Sequence, residues 1–130
     1  MRIANPIGKK GEDIAVEFLK KKGYKILERN YRKQYAEIDI IALHSIQGKL
    51  FHVKQAVLVF VEVKTRTSNS FGSPLEAITL WKLRPLQKLA QYYSMSHPEL
   101  PNELRIDAVS ILLYDQTDPT IEHIENISEF

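Results

Sequence analysis

The hydrophobic pattern of the chain is most regular between Val57 and Lys64, where an apolar run ends in Glu62-Val63-Lys64. A short run rich in β-branched and aromatic residues is typical of a strand that is buried on both faces. Side chains alternate along a strand, so Glu62 and Lys64 lie on one face near its carboxyl end. Because a buried carboxylate is costly without a partner, the two residues form either a structural ion pair or part of a functional site.

A second strand is predicted from Ala36 to His44, and it carries an acid in its middle. Asp39 is flanked by isoleucines, although aspartate is disfavoured in strands. Two acids and a lysine on neighbouring strands suit a hard cation, because Mg²⁺ and Mn²⁺ bind a few carboxylates and keep open positions for water and phosphate. The pattern therefore predicts a Mg²⁺ or Mn²⁺ site at Asp39 and Glu62, with Lys64 placed to orient water or stabilise phosphoryl charge.

The other elements are predicted from periodicity and from glycine and proline positions. A first helix is expected from Gly8 to Gly23, because apolar residues recur at helical spacing and glycine commonly follows a helix end. Further strands are predicted at Tyr24–Tyr31, Leu104–Tyr114 and Ile121–Ile127, the last of them at a sheet edge. The resulting order, αβββαββ, indicates an α/β fold in which a mixed sheet is flanked by helices.

The second long helix is predicted between Leu75 and Met95, but Pro85 lies inside that span. Proline lacks a backbone N–H and disrupts the interior of a helix. Two interpretations remain open at this stage. Either a short helix from Leu75 to Ile78 precedes a longer one, or the long helix begins late and carries Pro85 in its first turns.

Polar residues in the later part of the chain are interpreted as structural. Arg105 and Asp107 share one face of a predicted strand, and we expect them to form an ion pair. His97 and His123 are isolated in sequence and are expected to be structural or exposed.

Length and composition indicate a single globular domain and exclude several classes of site. Its 130 residues predict one domain, spanning positions 1–130, that is large enough to bury a core. The absence of cysteine excludes disulfides and thiolate zinc sites. Neither a signal-peptide core nor an apolar run of transmembrane length is present. A cytoplasmic protein without a membrane partner is therefore the expectation.

Charge is distributed unevenly along the chain, although the net charge is only +2. Residues 1–36 contain ten Lys/Arg and four Asp/Glu, a balance of +6, whereas residues 97–130 contain one and eight, a balance of −7. A basic amino-terminal part suits phosphate and hence nucleic acid. A solvated basic surface is the alternative explanation.

Several motifs resemble those of one family, the bacterial YraN-like proteins. They are Gly8-Lys9-Lys10-Gly11-Glu12, Gly23-Tyr24, Asn30-Tyr31-Arg32, Glu37-Ile38-Asp39, Phe60-Val61-Glu62-Val63-Lys64 with Arg66, Phe71-Gly72, Lys82 and Arg105-Ile106-Asp107. Asp39 followed by Glu62-Val63-Lys64 also resembles the active-site pattern of PD-(D/E)xK nucleases, and archaeal Holliday-junction resolvases are similar in turn. The chain departs from the superfamily at Ile38, where proline is usual, but no catalytic group is missing.

The resemblance implies a restriction-endonuclease-like αβββαβ core and a metal-dependent endonuclease of structured or branched DNA. It implies that Asp39, Glu62 and the Val63 carbonyl hold the metal ion and that Lys64 acts on the attacking water. It also implies a metal-side acid on the first helix, which corresponds to Glu12. A favourable interaction with the helix dipole is the structural alternative for an acid in the first turn.

Nucleic-acid contacts are expected from Arg32, Arg66 and Lys82. Arg66 follows the buried strand in what is predicted to be a polar loop, where binding groups are common. DNA is the expected partner, and cleavage of a junction would favour a homodimer. The competing hypothesis is a non-catalytic module of the same fold that binds nucleic acid or protein.

Overall fold

The computed structural model describes residues 6–47, 54–67, 80–113, 118–128 and 130. Within these ranges, two helices and five strands follow one another in the predicted order. They are α1 (Pro6–Lys21), β1 (Lys25–Lys33), β2 (Ala36–Gln47), β3 (Lys54–Arg66), α2 (Leu80–Ser96), β4 (Leu104–Leu112) and β5 (Thr120–Ile124). The fold is α/β, with a mixed sheet flanked by two helices, and it is consistent with a restriction-endonuclease-like core.

The five strands lie in the sheet in the order in which they occur along the chain. β1, β2 and β3 form an antiparallel meander, β3 and β4 are parallel, and β4 and β5 are antiparallel. The parallel pair needs a long crossover, and α2 lies within it. β5 occupies the edge of the sheet, as the sequence predicted.

One helix covers each face of the sheet. α1 packs on a cluster that includes Val57, Val59 and Val61, whereas α2 packs on a cluster that includes Leu58 and Phe60. All five side chains are at most 3% exposed. The prediction of a strand buried on both faces is therefore confirmed for β3, which is the central strand of the sheet.

Helix α1 begins two residues earlier than predicted, at Pro6, where proline is favoured because the first N–H of a helix has no partner. It ends at Lys21, and Gly23, the predicted stop, follows with a φ of 91°. The Gly23 N–H donates to the Lys20 carbonyl and the Tyr24 N–H to the Leu19 carbonyl, a Schellman arrangement that only glycine adopts without strain.

Helix α2 begins at Leu80 and carries Pro85 as its sixth residue, which agrees with the late-starting helix. Proline there removes one backbone hydrogen bond near the amino-terminal end. The alternative short helix at 75–78 lies outside the described residues. In the part of the chain that the structure describes, neither helix has the length and apolarity needed to cross a membrane.

Candidate active site

An open cleft of about 880 Å³ lies where α1 meets β1 and the carboxyl end of β3. Its polar lining includes most of the residues that the sequence singled out. They are Glu12, Asp39, Val63, Lys64 and Arg32, together with Arg29, Asn30 and Lys9. Helix, strand and strand end therefore bring residues more than 50 positions apart to one surface.

Asp39 lies in β2 at the point where the ladder with β3 ends. The last paired residues are Ile40 and Val61, and beyond them the Val63 N–H donates to Asp39 Oδ2 at 2.8 Å. Burial raises the pKa of Asp39 to about 7, and the negative charge of Glu62 adds to this, while the Val63 N–H opposes it. The charged groups that raise this pKa are acids, so Asp39 lies in a site of negative potential.

The backbone of Val63 points toward the same place. The N–H and C=O of one strand residue face the same neighbouring strand, and the Val63 N–H faces Asp39. Its carbonyl oxygen therefore also faces β2 at a level where no strand residue pairs with it. This orientation fits the predicted role of the Val63 carbonyl as an oxygen ligand.

Glu62 is buried, with 8% of its surface exposed. It lines a separate, small pocket with Ile38, Phe60 and Leu86, on the α2 side of the sheet. Its charge nonetheless acts on Asp39, which places the two acids within electrostatic range. That they share one cation stays a prediction.

Glu12 faces the cleft and is largely buried, with 14% of its side chain exposed. Its carboxylate accepts hydrogen bonds from Arg29 Nη2 at 3.2 Å and from Asn30 Nδ2 at 3.2 Å. Because α1 begins at Pro6, Glu12 is its seventh residue and not part of its first turn. The helix dipole acts mainly within the first turn, so it does not explain this acid.

Gly11 allows α1 to approach β3 closely beside the cleft. A Cβ at this position would overlap the side chain of Thr65, which follows Lys64 in β3. The close contact holds the neighbouring Glu12 at the carboxyl end of β3.

Arg29 and Asn30 are site residues that the sequence reasoning missed. Arg29 also donates to Asp13 Oδ1 at 2.7 Å, and Asn30 Nδ2 bridges Glu12 and Glu37 at 3.2 and 3.3 Å. Asn30 adopts a left-handed φ of 54°, which asparagine tolerates better than most residues. An asparagine inside a strand pattern was the available signal, whereas nothing in the sequence marks Arg29.

Lys64 and Arg32 line the cleft from two sides. Arg32 is exposed, and its Nε lies 3.5 Å from Glu37 Oε2. Lys64 is half-buried, and within the described ranges no salt bridge joins it to Glu62. The interpretation of these two as a structural ion pair therefore finds no support in the described residues.

The predicted metal site would offer few protein ligands. Within the described residues, no cluster of three or more His, Asp or Glu side chains is arranged to hold a metal ion. Two carboxylates and one carbonyl still fit Mg²⁺, because this ion usually keeps several waters and takes one or two protein carboxylates. Asp39 and Val63 line the cleft, whereas Glu62 lines the pocket on the α2 side, so a donor set of these three residues stays a prediction.

Comparison with known proteins establishes the family. The family described as "Uncharacterised protein family UPF0102" matches residues 11–111. The chain belongs to this YraN-like family. It is 44% identical over 120 residues to a UPF0102 protein of Syntrophomonas wolfei, covering 92% of this chain and 95% of that one. It is 41% identical over 129 residues to UPF0102 protein Cphamn1_0017 of Chlorobium phaeobacteroides, covering 95% and 94%.

Of the predicted phosphate ligands of this UPF0102 chain, Arg66 is not among the described residues that line the cleft, and Lys82 is placed only by its helix. Arg66 is not in a loop, which corrects the sequence prediction: it is the last residue of β3, because parallel pairing with β4 continues to Leu112. Lys82 lies in α2, on the opposite side of the sheet from the cleft. The side chain of Lys82 lies outside the described residues.

The UPF0102 chain also contains a second buried acid, Asp107, which is fully buried. The predicted pair is confirmed: Arg105 Nε and Nη2 donate to its two oxygens at 2.8 and 3.0 Å. His123 Nε2 and the Asn126 N–H add contacts at 2.8 and 2.9 Å. Burial alone would raise the pKa of Asp107, but the hydrogen bonds from His123 and Arg105 hold it below its usual value.

Proposed function

We propose that this protein is a Mg²⁺- or Mn²⁺-dependent endonuclease that hydrolyses phosphodiester bonds in structured or branched DNA of the cytoplasm. The observation that carries the proposal is the grouping of Asp39, Glu12, the Val63 backbone and Lys64 on one open cleft. Asp39 lies among acids with a raised pKa, a setting in which a bound cation would relieve the repulsion.

The residues divide into three roles under this proposal. Asp39, Glu62 and the Val63 carbonyl would hold the metal ion, which when bound supplies Lewis acidity and lowers the pKa of water. Lys64 would orient the attacking water or stabilise charge on the phosphoryl oxygens, because its ammonium forms no salt bridge with the described acids. Glu12 would be an outer acid, held toward the cleft by Arg29 and Asn30.

Phosphate binding would come from the basic residues around the cleft. Arg32 and Lys9 line it directly, whereas Arg66 and Lys82 would reach DNA only if the strands extend beyond it. Because residues 1–36 carry a balance of +6, binding should weaken steeply as salt rises, by about 0.9 log units per contact for each log unit of salt on duplex DNA. Cleavage of both strands of a junction would favour a homodimer.

A second candidate function is a nucleic-acid-binding module that cleaves nothing. The pairing of Glu12 with Arg29 favours it, since this arginine partly neutralises an acid that a nuclease would use. The two candidates differ in whether Lys64 acts only in the transition state.

The test measures cleavage and binding on the same preparations. Branched and linear duplex DNA are incubated with and without Mn²⁺, using the parent, Lys64→Ala and the exposed control Lys20→Ala. We expect Mn²⁺-dependent cleavage that Lys64→Ala lowers by about 100-fold or more, with binding unchanged and the control fully active. Binding without cleavage in the parent would support the second candidate, and the absence of both would refute both.

A further inference from the structure

A second surface, on the α2 side of the sheet, combines exposed tyrosines with lysines. We call it the tyrosine–lysine patch and define it by Tyr31, Lys33, Tyr35, Lys88 and Tyr92. The Lys88 Nζ lies 4.5 Å from the centre of the Tyr35 ring, and the Lys33 Nζ lies 5.1 Å from that of Tyr92 and 5.6 Å from that of Tyr31. Aromatic and cationic groups thus alternate across the patch.

The patch is built by the β1–β2 hairpin and one face of α2. Tyr35 lies in the two-residue turn between the strands, and Tyr92 lies one helical turn after Lys88. Tyr35 and Tyr92 are 42% and 47% exposed, so part of each ring is open to a ligand. Tyr31 is half-buried and packs edge-on against the buried Tyr93 at 5.0 Å, which anchors the patch to the core.

Among the described residues, the two lysines of the patch have no acid within salt-bridge distance. Helix α2 contains three basic residues and no acidic one over its 17 positions. In the described ranges, neither Lys33 nor Lys88 forms a salt bridge, and both lie over tyrosine rings instead. A cation held on a ring face keeps its full charge for a second partner. The hydroxyl of the neighbouring Tyr93 donates a hydrogen bond to Glu28, and the charge of Glu28 also acts on Tyr31, so this acid lies beside the patch.

We infer that the tyrosine–lysine patch binds the unpaired nucleotides of a single-stranded nucleic acid. Bases would stack on the rings of Tyr35 and Tyr92, and Lys33 and Lys88 would contact the phosphates. Exposed aromatic rings interleaved with cations are what such binding needs, because every base has a face that can stack and every linkage has a charge. Nothing in the patch reads base edges, so binding should be largely independent of sequence.

The position of the patch links it to the candidate active site. Arg32 lines the cleft on the α1 side of β1, and the next residue, Lys33, belongs to the patch on the other side. A strand could therefore pass from the cleft around the end of the β1–β2 hairpin to the patch. This statement about the substrate rests on the proposed nuclease function. If the protein is that nuclease, its substrate would carry a single-stranded arm or gap next to the cleaved duplex.

A second copy of the chain fits the patch less well than a polyanion does. In a two-fold symmetric contact the same surface faces itself, so Lys33 and Lys88 would lie close to their own counterparts. Such like-charge contacts oppose association. A homodimer through this face is therefore an outcome that the experiment must be able to detect.

The test measures binding in the presence of EDTA, so that cleavage plays no part. A labelled oligothymidylate of about 20 nucleotides, long enough for one binding site, is titrated by fluorescence anisotropy with the parent and two double variants. Tyr35→Ala with Tyr92→Ala removes the rings, whereas Tyr35→Phe with Tyr92→Phe keeps them. We expect the alanine pair to weaken binding by about 10-fold or more and the phenylalanine pair by less than about 3-fold.

Further measurements keep the result interpretable. Equal melting temperatures of the variants and the parent show that the exposed substitutions leave the fold intact. Lys33→Gln with Lys88→Gln should flatten the salt dependence of oligothymidylate binding by about 1.4 units, since each of the two lost single-strand contacts contributes roughly 0.7. Oligothymidylate binding that is weakened by neither the alanine pair nor the glutamine pair would overturn the inference. A dimer of the parent protein that dissociates in the alanine pair would overturn it as well. If the parent protein shows no Mn²⁺-dependent cleavage but binds oligothymidylate as expected, the proposed nuclease function is refuted and the inference about the patch is not affected.

Discussion

Two acids on the α1 side of the same sheet, the fully buried Asp107 and the half-buried Asp39, have opposite surroundings. Asp107 accepts hydrogen bonds from Arg105, His123 and the Asn126 N–H, and its pKa is lowered. Asp39 accepts one backbone hydrogen bond, and its pKa is raised to about 7 by burial and by Glu62. The difference separates an acid that stabilises the fold from one that the fold carries at a cost.

The comparison shows how a buried acid can be assigned a role. When donors satisfy both oxygens and a cation neutralises the charge, as at Asp107, no capacity remains for a ligand. When the neighbours are other acids, as at Asp39, the lone pairs remain available and the repulsion favours a cation. The two sites therefore respond differently to substitution, to pH and to metal.

The largest effect on stability is expected at Asp107. Asp107→Asn removes the anionic partner of Arg105, whose side chain is only 12% exposed, and leaves a buried charge unpaired. The free energy of unfolding should fall by about 3–5 kcal/mol, as measured by urea denaturation. The exposed Asp118 provides the control, since Asp118→Asn should change it by less than about 0.5 kcal/mol. A small effect at Asp107 would remove the contrast between the two acids.

The opposite sign is expected at Asp39. Its folded pKa of about 7 exceeds the unfolded value, so the folded state binds more protons and stability is lost as pH rises between about 4 and 7. Asp39→Asn keeps an acceptor for the Val63 N–H and cannot ionise. Without metal, it should stabilise the protein by about 2 kcal/mol at pH 8 and by less at pH 5. Thermal unfolding at the two pH values measures this difference.

The same variant tests the metal site. Mn²⁺ at pH 8 should raise the melting temperature of the parent, because a ligand that binds only the folded state stabilises it. It should leave Asp39→Asn and the pH 5 parent almost unchanged, since a neutral side chain is a poor ligand for a hard cation. An equal Mn²⁺ shift in parent and variant would place the bound ion elsewhere.

A smaller effect is expected from Gly11, beside the cleft. Gly11→Ala places a methyl group against Thr65, so α1 must shift at a cost of about 1–3 kcal/mol. The displacement moves Glu12 but leaves the Asp107 network in place, and cleavage should fall by more than the lost stability explains. Thr65→Ala in the same chain should recover part of both losses. No recovery would show that the contact does not position α1.

The smallest change in stability is expected at Asn30. Asn30→Ala loses the bridge between Glu12 and Glu37 and places alanine in a left-handed conformation, which costs about 1 kcal/mol. Asn30→Gly relieves the backbone but still lacks the amide. The glycine variant should therefore regain its melting temperature without regaining cleavage. Full activity in both variants would exclude a positioning role for this amide.

Sequence alone predicted the elements that depend on local patterns. Apolar runs identified β2 and β3, glycine identified the end of α1, and the spacing of Arg105 and Asp107 identified their ion pair. Arg66 was misplaced because its strand continues only through pairing with β4, which the local polarity of the segment conceals. The roles assigned to Asp39, Glu62 and Lys64 stay predictions until cleavage is measured.

Contacts between distant segments account for the residues that sequence reasoning missed. Arg29 and Asn30 lie in β1 and donate hydrogen bonds to Glu12 in α1, and His123 contacts Asp107 from the edge strand. Such contacts depend on the register of strands, which single-sequence periodicity does not determine. The tyrosine–lysine patch was missed for the same reason, since its members come from the β1–β2 hairpin and from a helix more than 50 residues further along the chain.

The length of the β2–β3 ladder indicates where a label can be attached to this protein. It extends from the pair Ile40 and Val61, next to the cleft, to the pair Gln47 and Lys54. Seven residues of strand separate the two ends, a distance of about 24 Å. A fluorophore or affinity peptide attached at the connection between Gln47 and Lys54 would therefore report on the protein, or immobilise it on a sensor, without obstructing the acids at the other end.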